Sequence, residues 1–100
     1  MSAVLLDTCA LLWLGLGDRK LSLNARQVIE ETNTVYVSPI SFWEIANKRS
    51  TGGLTLQLPT REWFAKVCEW HRLSLLPLSG EVMIRAGELP FHHKDPADRI

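Results

Sequence analysis

The sequence predicts an α/β domain in which helices alternate with the short strands of a parallel sheet. Three runs rich in apolar and β-branched residues indicate strands, at residues 4–6, Thr34–Val37 and 73–76. The segments between them have helical periodicity, and polar capping residues precede several of them. Helices between successive strands favour parallel pairing through helical crossovers. We therefore expect a three-layer α/β/α domain with a central parallel sheet, in which the first two strands pair in parallel.

Length and composition limit the classes of protein to consider. One hundred residues suffice for a single small domain, so we treat residues 1–100 as one domain. The hydrophobic fraction of 46% and the charged fraction of 22% are typical of a soluble globular protein. Eleven basic and eleven acidic residues cancel, so any binding of nucleic acid has to rest on a local patch.

The number of cysteines and the hydropathy pattern indicate the cellular compartment of the protein. Cys9 and Cys68 are too few for a disulfide framework and lack metal-ligand spacing, so we predict that both are small buried residues. The longest uncharged apolar stretch, residues 8–17, is shorter than the roughly 20 residues that span a membrane. No basic segment precedes it, which argues against a signal peptide. We expect a cytoplasmic protein with no membrane partner.

The first half of the chain has clear boundaries between helices and strands. A helix follows the first strand, and residues 15–18 are predicted to form a loop. Ser22 caps a second helix, whose buried face we assign to Leu23, Val28, Ile29 and Thr32. After the second strand, Ser38 and a proline at the first helical position begin a helix that runs to about Ser50.

The second half begins with a segment that is open to two interpretations. Residues 54–59 alternate apolar and polar side chains, and we predict an extended linker that packs its leucines on the helices rather than an edge strand. A helix with a broad apolar face follows at residues 60–71, and Ser79 caps another through about Leu89. Residues 90–94 are predicted to form a loop, and residues 95–100 to open a final helix.

Three acidic residues occur at corresponding places in these elements. Asp7 directly follows the first strand, Glu44 lies in the second turn of the helix after the second strand, and Asp98 lies in the first turn of the final helix. Parallel strands end at the same edge of a sheet, so we expect these carboxylates to converge there. An all-oxygen cluster suits a hard divalent ion, Mg²⁺ or Mn²⁺. Such an ion activates a water molecule for attack on a phosphodiester.

Each of these acids also has a purely structural interpretation. Asp7 is a good residue to cap the helix that follows it. Glu44 and Lys48 have the spacing of an ion pair along a helix surface. The sequence DPAD at residues 95–98 resembles a helix cap, with a proline at the first position and an acid at the third. Taken one residue at a time, the structural interpretations are at least as good.

Three segments taken together resemble a known family. They are LLDTCALLW at residues 5–13, SFWEIANK at 41–48 and LPFHHKDPADR at 89–99. In this order they are similar to the leading motifs of PIN-domain proteins, and most of all to the VapC-like toxin ribonucleases of bacterial type II toxin–antitoxin systems. The resemblance implies an RNA endonuclease that depends on Mg²⁺ or Mn²⁺ and is held inactive by a VapB-type antitoxin. We also expect a homodimer.

The resemblance assigns roles by position. Asp7, Glu44 and Asp98 match the first, second and third metal-binding acids, which are also the catalytic residues, and Asp95 matches a residue that we assign to capping. Position 9 is often histidine in this branch and is cysteine here. Family members continue beyond Ile100 through the rest of a helix, another strand and commonly a fourth acid. We therefore expect a PIN-like domain that lacks its C-terminal helix and last strand, with little turnover from this chain alone.

An alternative from another class is a catalytically inactive PIN remnant that only binds a partner, either an antitoxin or a second copy. Binding of a divalent ion discriminates the two, because a binding module has no need of convergent carboxylates. A phosphatase-like or response-regulator-like protein would need a phosphorylatable aspartate and a lysine on later strands, for which the chain has no clear candidates. A short chain has limited core for its tryptophans, so we expect apolar surface on the helix at 60–71 or on Pro39–Ser50 to form a homodimer or antitoxin interface.

Overall fold

The computed structural model describes residues 3–89 and 91–92, in which helices and parallel strands alternate. The elements are β1 (Ala3–Leu6), α1 (Thr8–Leu16), α2 (Leu23–Glu31), β2 (Thr34–Val37), α3 (Pro39–Ser50), α4 (Thr60–Trp70), β3 (Leu73–Leu75), α5 (Gly80–Gly87) and β4 (Phe91–His92). Within this part of the chain the strands form one sheet in the order β3-β2-β1-β4. The predicted α/β class with a parallel sheet is confirmed.

Every pairing in this sheet is parallel. β1 pairs with β2 so that Val4 lies opposite Val35, and β2 pairs with β3. On its other side β1 pairs with β4, where Leu5 lies opposite Phe91. The prediction of a loop at residues 90–94 is therefore wrong for Phe91–His92. Two residues are too few to show a strand period in sequence, and only the open side of β1 supplies their pairing partner.

The two faces of the sheet carry separate hydrophobic clusters. Side chains of successive strand residues point to opposite faces, so β1 contributes Val4 and Leu6 to one cluster and Leu5 to the other. The larger cluster includes buried residues of α1, α2, α3 and α4. The smaller one contains Ala86 of α5 together with Leu76. The sheet thus lies between two helical layers, and β1 is apolar throughout because it is covered on both faces.

The predicted serine caps begin three helices as expected. Oγ of Ser22 accepts a hydrogen bond from the Ala25 backbone N–H at 3.0 Å. Ser38 does the same for Ile40 at 3.1 Å, and Ser79 for Val82 at 3.2 Å. Each bond satisfies one of the N–H groups that have no intrahelical acceptor in the first turn. Ser38 and the proline after it therefore start α3 directly after β2.

Two details of the first half differ from the prediction. α1 continues through residue 15 and ends at Leu16, because the left-handed conformation that stops it belongs to Gly17, with φ of 67°. Ile29 and Thr32 are buried as predicted, but Leu23 is exposed, and the residues that α2 itself buries are Ala25 and Ile29. These two residues are one turn apart and face the sheet. Leu21, which precedes the helix, is buried, whereas Leu23 is not.

The prediction that both cysteines are buried is wrong for one of them. Cys9 is exposed, because α1 turns Ala10, Leu11 and Leu14 toward the core and leaves Cys9 on the other side. Cys68 packs against the larger cluster and is partly buried. Burial raises the pKa of the Cys68 thiol, which favours its neutral form.

The segment between α3 and α4 is an extended linker, as predicted. Leu56 is buried, while Leu54 and Leu58 are partly buried against the larger cluster. Nη1 of Arg49 donates hydrogen bonds to the Leu58 carbonyl at 2.8 Å and to Oγ1 of Thr60 at 3.0 Å. Because α4 has no side-chain cap of its own, these bonds from α3 stabilise the point where it begins.

The tryptophans divide between core and surface. Trp63 is only 5% exposed and lies in the larger cluster, whereas Trp70 is 69% and Trp43 66% exposed. Other large apolar side chains are exposed on several helices, including Ile40 on α3 and Ile84 on α5. Among the residues that the structure describes, no helix has the length and apolarity needed to cross a bilayer.

Gly15 lies where α1 packs closely against α4. A Cβ added at Gly15 would lie 2.5 Å from Cζ2 of Trp63 and 2.9 Å from Cγ2 of Val67, both of them core side chains. We expect Gly15→Ala to destabilise the domain by about 1–3 kcal/mol, the usual cost of overpacking. Chemical denaturation measures this difference.

The matched control is Gly87→Ala at the end of α5. A Cβ at Gly87 meets no atom within 4 Å, so the gain in helix propensity should make this variant slightly more stable. Equal effects of the two substitutions on the free energy of unfolding would contradict the close contact at Gly15.

Candidate active site

Asp7 occupies the end of the central strand. It follows Leu6 directly, at the edge of the sheet where the parallel strands β1 and β2 both end. Its Oδ1 accepts a hydrogen bond from the Ala10 backbone N–H at 2.7 Å, so the helix-capping interpretation of Asp7 is confirmed. The dipole of α1 also favours a negative charge at this position. A carboxylate has two oxygens, so capping is compatible with a role in binding a ligand.

Glu44 reaches the same edge from a different helix. It lies in the second turn of α3, and α3 packs against α1. Oγ1 of Thr8 donates a hydrogen bond to Oε1 of Glu44, so Glu44 contacts the residue that follows Asp7. The alternative interpretation, a surface ion pair with Lys48, is wrong. Within residues 3–89 Glu44 forms no salt bridge with Lys48, whereas Arg85 and Glu81 do pair, at 3.1 Å.

A buried serine completes this contact between α1 and α3. Oγ of Ser41 lies 2.8 Å from Oγ1 of Thr8. Ser41 is 5% exposed and precedes Glu44 by one helical turn, so both face the start of α1. Neither Thr8 nor Ser41 is among the site residues predicted from the sequence. The available signal was position: Thr8 is next to Asp7, and Ser41 is on the same side of its helix as Glu44.

The third predicted acid lies outside the described residues. Asp98, the residue Asp95 that was assigned to capping, and the predicted final helix all lie outside the described residues. β4 runs beside β1 in the same direction, so the chain leaves β4 at the edge of the sheet where Asp7 lies. Among the described residues, no group of three or more His, Cys, Asp or Glu side chains could hold a metal ion. The site of three carboxylates stays a prediction.

The side chains that meet at this edge suit a hard cation. Asp7 and Glu44 contribute carboxylate oxygens, and the hydroxyl of Thr8, itself bonded to Ser41, holds the Glu44 carboxylate. Oxygen ligands are those that Mg²⁺ and Mn²⁺ prefer. Two carboxylates held near each other also repel unless a cation or a hydrogen-bond donor offsets their charge. The donor set therefore fits a divalent ion.

A cavity of about 440 Å³ lies at the opposite edge of the sheet, beside the residues that precede β2 and β3. Arg26, Glu30, His71 and Arg72 are among its lining residues. Burial lowers the pKa of His71, the charge of Arg26 lowers it further, and Glu30 acts in the opposite direction. None of the predicted acids that the structure describes lines this cavity, so it is separate from the edge where Asp7 lies.

Comparison with known proteins identifies the family. The model of the PIN domain family matches residues 4–100, and the chain belongs to this family. Ribonuclease VapC22 of Mycobacterium tuberculosis (strain ATCC 25618 / H37Rv) is 31% identical over 101 residues, an alignment that covers 100% of this chain and 76% of that protein. No solved structure matches the chain significantly. The resemblance to VapC-like PIN-domain proteins that the sequence motifs indicated is confirmed.

Proposed function

We propose that this protein is a divalent-metal-dependent RNA endonuclease and the toxin of a VapBC-type toxin–antitoxin pair. The observation that carries the proposal is the contact between α1 and α3, because it brings Glu44 to the residue after Asp7 at the end of the central strand. The similarity to a protein named Ribonuclease VapC22 supports RNA as the substrate and the toxin class. A VapB-type antitoxin is the partner that this class implies.

In this proposal Asp7, Glu44 and Asp98 would hold Mg²⁺ or Mn²⁺. The direction of β4 supports Asp98, because the chain returns to the edge of Asp7 before it reaches that residue. A bound ion would lower the pKa of a water molecule and stabilise negative charge on the phosphate. The chain's own contribution is to hold the carboxylates still, Asp7 through the Ala10 N–H and Glu44 through Thr8.

Replacing one carboxylate with its amide tests the site. Asn caps helices as well as Asp, so Asp7→Asn should fold with nearly unchanged stability. Loss of the negative charge should lower Mn²⁺-dependent cleavage of RNA by at least about 100-fold, more than the loss of an outer-shell group usually costs. The measurement is the rate of cleavage of a labelled RNA in the presence and absence of Mn²⁺, with the melting temperature as a check on folding.

Asp18→Asn is the matched control. Oδ1 of Asp18 accepts a bond from the Lys20 N–H at 2.9 Å in the loop after α1, remote from Glu44, so cleavage should stay unchanged. Equal activity of the unmodified protein and Asp7→Asn would rule out the proposed site. A protein that binds no Mn²⁺ would instead support the alternative, an inactive PIN remnant that binds a partner.

We propose the outer face of α3 as the homodimer interface. Ile40 and Trp43 are both exposed and lie one turn apart, which makes a continuous apolar surface. Tryptophan is enriched at the energetic centres of protein interfaces. On α4 the exposed Trp70 has Lys66 Nζ 5.9 Å from its ring centroid, a polar neighbour that makes this surface less suited to burial.

Light scattering after size-exclusion chromatography tests this interface. We expect the unmodified protein to have the mass of a dimer and Trp43→Ser to have the mass of a monomer, because the substitution removes the largest apolar side chain of the α3 face. Trp70→Ser, which changes the same residue type at a comparable exposure, should remain a dimer. A monomeric unmodified protein, or dissociation by Trp70→Ser alone, would contradict the assignment to α3.

A further inference from the structure

We propose that Ser41 is a positioning residue for Glu44 and acts through the hydroxyl of Thr8. The inference rests on the proposed function in one respect, namely that Glu44 binds the metal ion. Its structural basis is a chain of two hydrogen bonds. The buried side chain of Ser41 on α3 bonds to Thr8 at the start of α1, and Thr8 bonds to the exposed carboxylate of Glu44, which is also on α3.

The hydroxyl of Ser41 makes its contact outside its own helix. Ser41 is the third residue of α3, in the first turn, so no earlier turn of that helix supplies a carbonyl for it. Oγ of Ser41 instead bonds across to another helix, at 2.8 Å from Oγ1 of Thr8. Because Ser41 is 5% exposed, water has little access to replace this bond. A buried hydroxyl without its partner would be costly, so the Thr8 contact determines how the Ser41 side chain is held.

The chemistry of the three groups sets the direction of the bonds. A carboxylate can only accept, so Thr8 must donate its single hydroxyl proton to Glu44. Oγ1 of Thr8 then has no proton left for Ser41 and must accept one from it. The order is therefore Ser41 to Thr8 to Glu44. In such a chain each bond polarises the next, so the Ser41 proton strengthens the bond from Thr8 to Glu44.

As a consequence, the Glu44 side chain is restricted to fewer rotamers. Glu44 is exposed, and an exposed glutamate samples several rotamers unless a contact holds it. The bond from Thr8 fixes one of its oxygens, and Thr8 itself is placed by the cap at Asp7. Groups that orient metal-binding carboxylates contribute about 10- to 100-fold to metal affinity. Ser41 is thus linked to the metal affinity of Glu44 through one intervening hydroxyl.

Ser38, the cap of α3, provides a control that distinguishes a positioning role from a purely structural one. Ser38 is also buried, and its Oγ accepts the Ile40 N–H as the cap of α3. Its loss should lower stability by about 1 kcal/mol, as cap removal usually does. The described bond of the Ser38 side chain is to the backbone of its own helix, so Ser38→Ala is the matched control for Ser41→Ala.

The first experiment measures Mn²⁺ affinity by calorimetry. We expect Ser41→Ala to bind about 10-fold more weakly, and Ser38→Ala to stay within about twofold of the unmodified protein despite its lower melting temperature. Thr8→Val should weaken binding at least as much as Ser41→Ala. Adding Ser41→Ala to Thr8→Val should then have no further effect, because Ser41 acts only through Thr8. Ser41→Cys, which has the same branching and a slightly larger, weakly donating thiol, covers the case in which Ser41→Ala fails to fold.

The second experiment needs no metal. Three-bond scalar couplings from NMR report whether the side chains of Thr8 and Glu44 occupy one rotamer or several. We expect single rotamers in the unmodified protein and in Ser38→Ala, and averaged couplings in Ser41→Ala and Ser41→Cys.

Unchanged couplings in both Ser41 variants would overturn the proposal, as would a loss of Mn²⁺ affinity in the double variant equal to the sum of the two single losses. Absence of Mn²⁺ binding in the unmodified protein would overturn the metal site, while the couplings would still decide the role of Ser41.

Discussion

The parallel placement of β1 at the centre of the sheet is the constraint on which the rest of the structure depends. Val4, Leu5 and Leu6 are all buried, because helices cover both faces and strands lie on both sides. A strand buried in this way cannot shift its register without exposing apolar side chains. The residue that follows it is therefore held at a defined point on the edge of the sheet, and that residue is Asp7.

The packing of α1 connects this strand to the other helices. At its beginning α1 meets α3 through the hydroxyl contacts of Thr8, and near its end Gly15 allows a close approach to α4. The polar contact lies at the candidate site, and the apolar contact lies in the core. Catalytic groups that are held by a rigid scaffold need less reorganisation when a substrate binds. A helix anchored at both ends supplies such a scaffold for the acids at one edge of the sheet.

The proposed metal site and the proposed dimer interface lie on different parts of the molecule. The carboxylates belong to the edge where the strands end, while Trp43 is on the outer face of α3, directly before Glu44 in sequence. One helix can therefore present the proposed metal ligand Glu44 toward α1 and an apolar surface outward. The chain carries no net charge, so a long-range field does not drive its attraction to RNA. Any binding of RNA therefore has to rest on a local patch.

Local patterns in the sequence determined most of the fold. The strands at Ala3–Leu6 and Thr34–Val37, the serine caps, and the parallel class follow from apolar runs and capping oxygens, which act between neighbours in the chain. The three motifs also identified the family, and two of the acids that they mark, Asp7 and Glu44, lie in the described part of the chain.

Contacts between residues distant in sequence were decided only by the tertiary structure. β4 pairs with the side of β1 that β2 leaves unpaired. Leu23 is exposed because Ala25 and Ile29 are the residues of α2 that face the core. The hydrogen bonds of Thr8 to Ser41 and Glu44 join positions more than thirty residues apart. A hydroxyl has no periodicity that marks such a partner. Its role depends on which helix packs beside it, and that is a property of the folded chain.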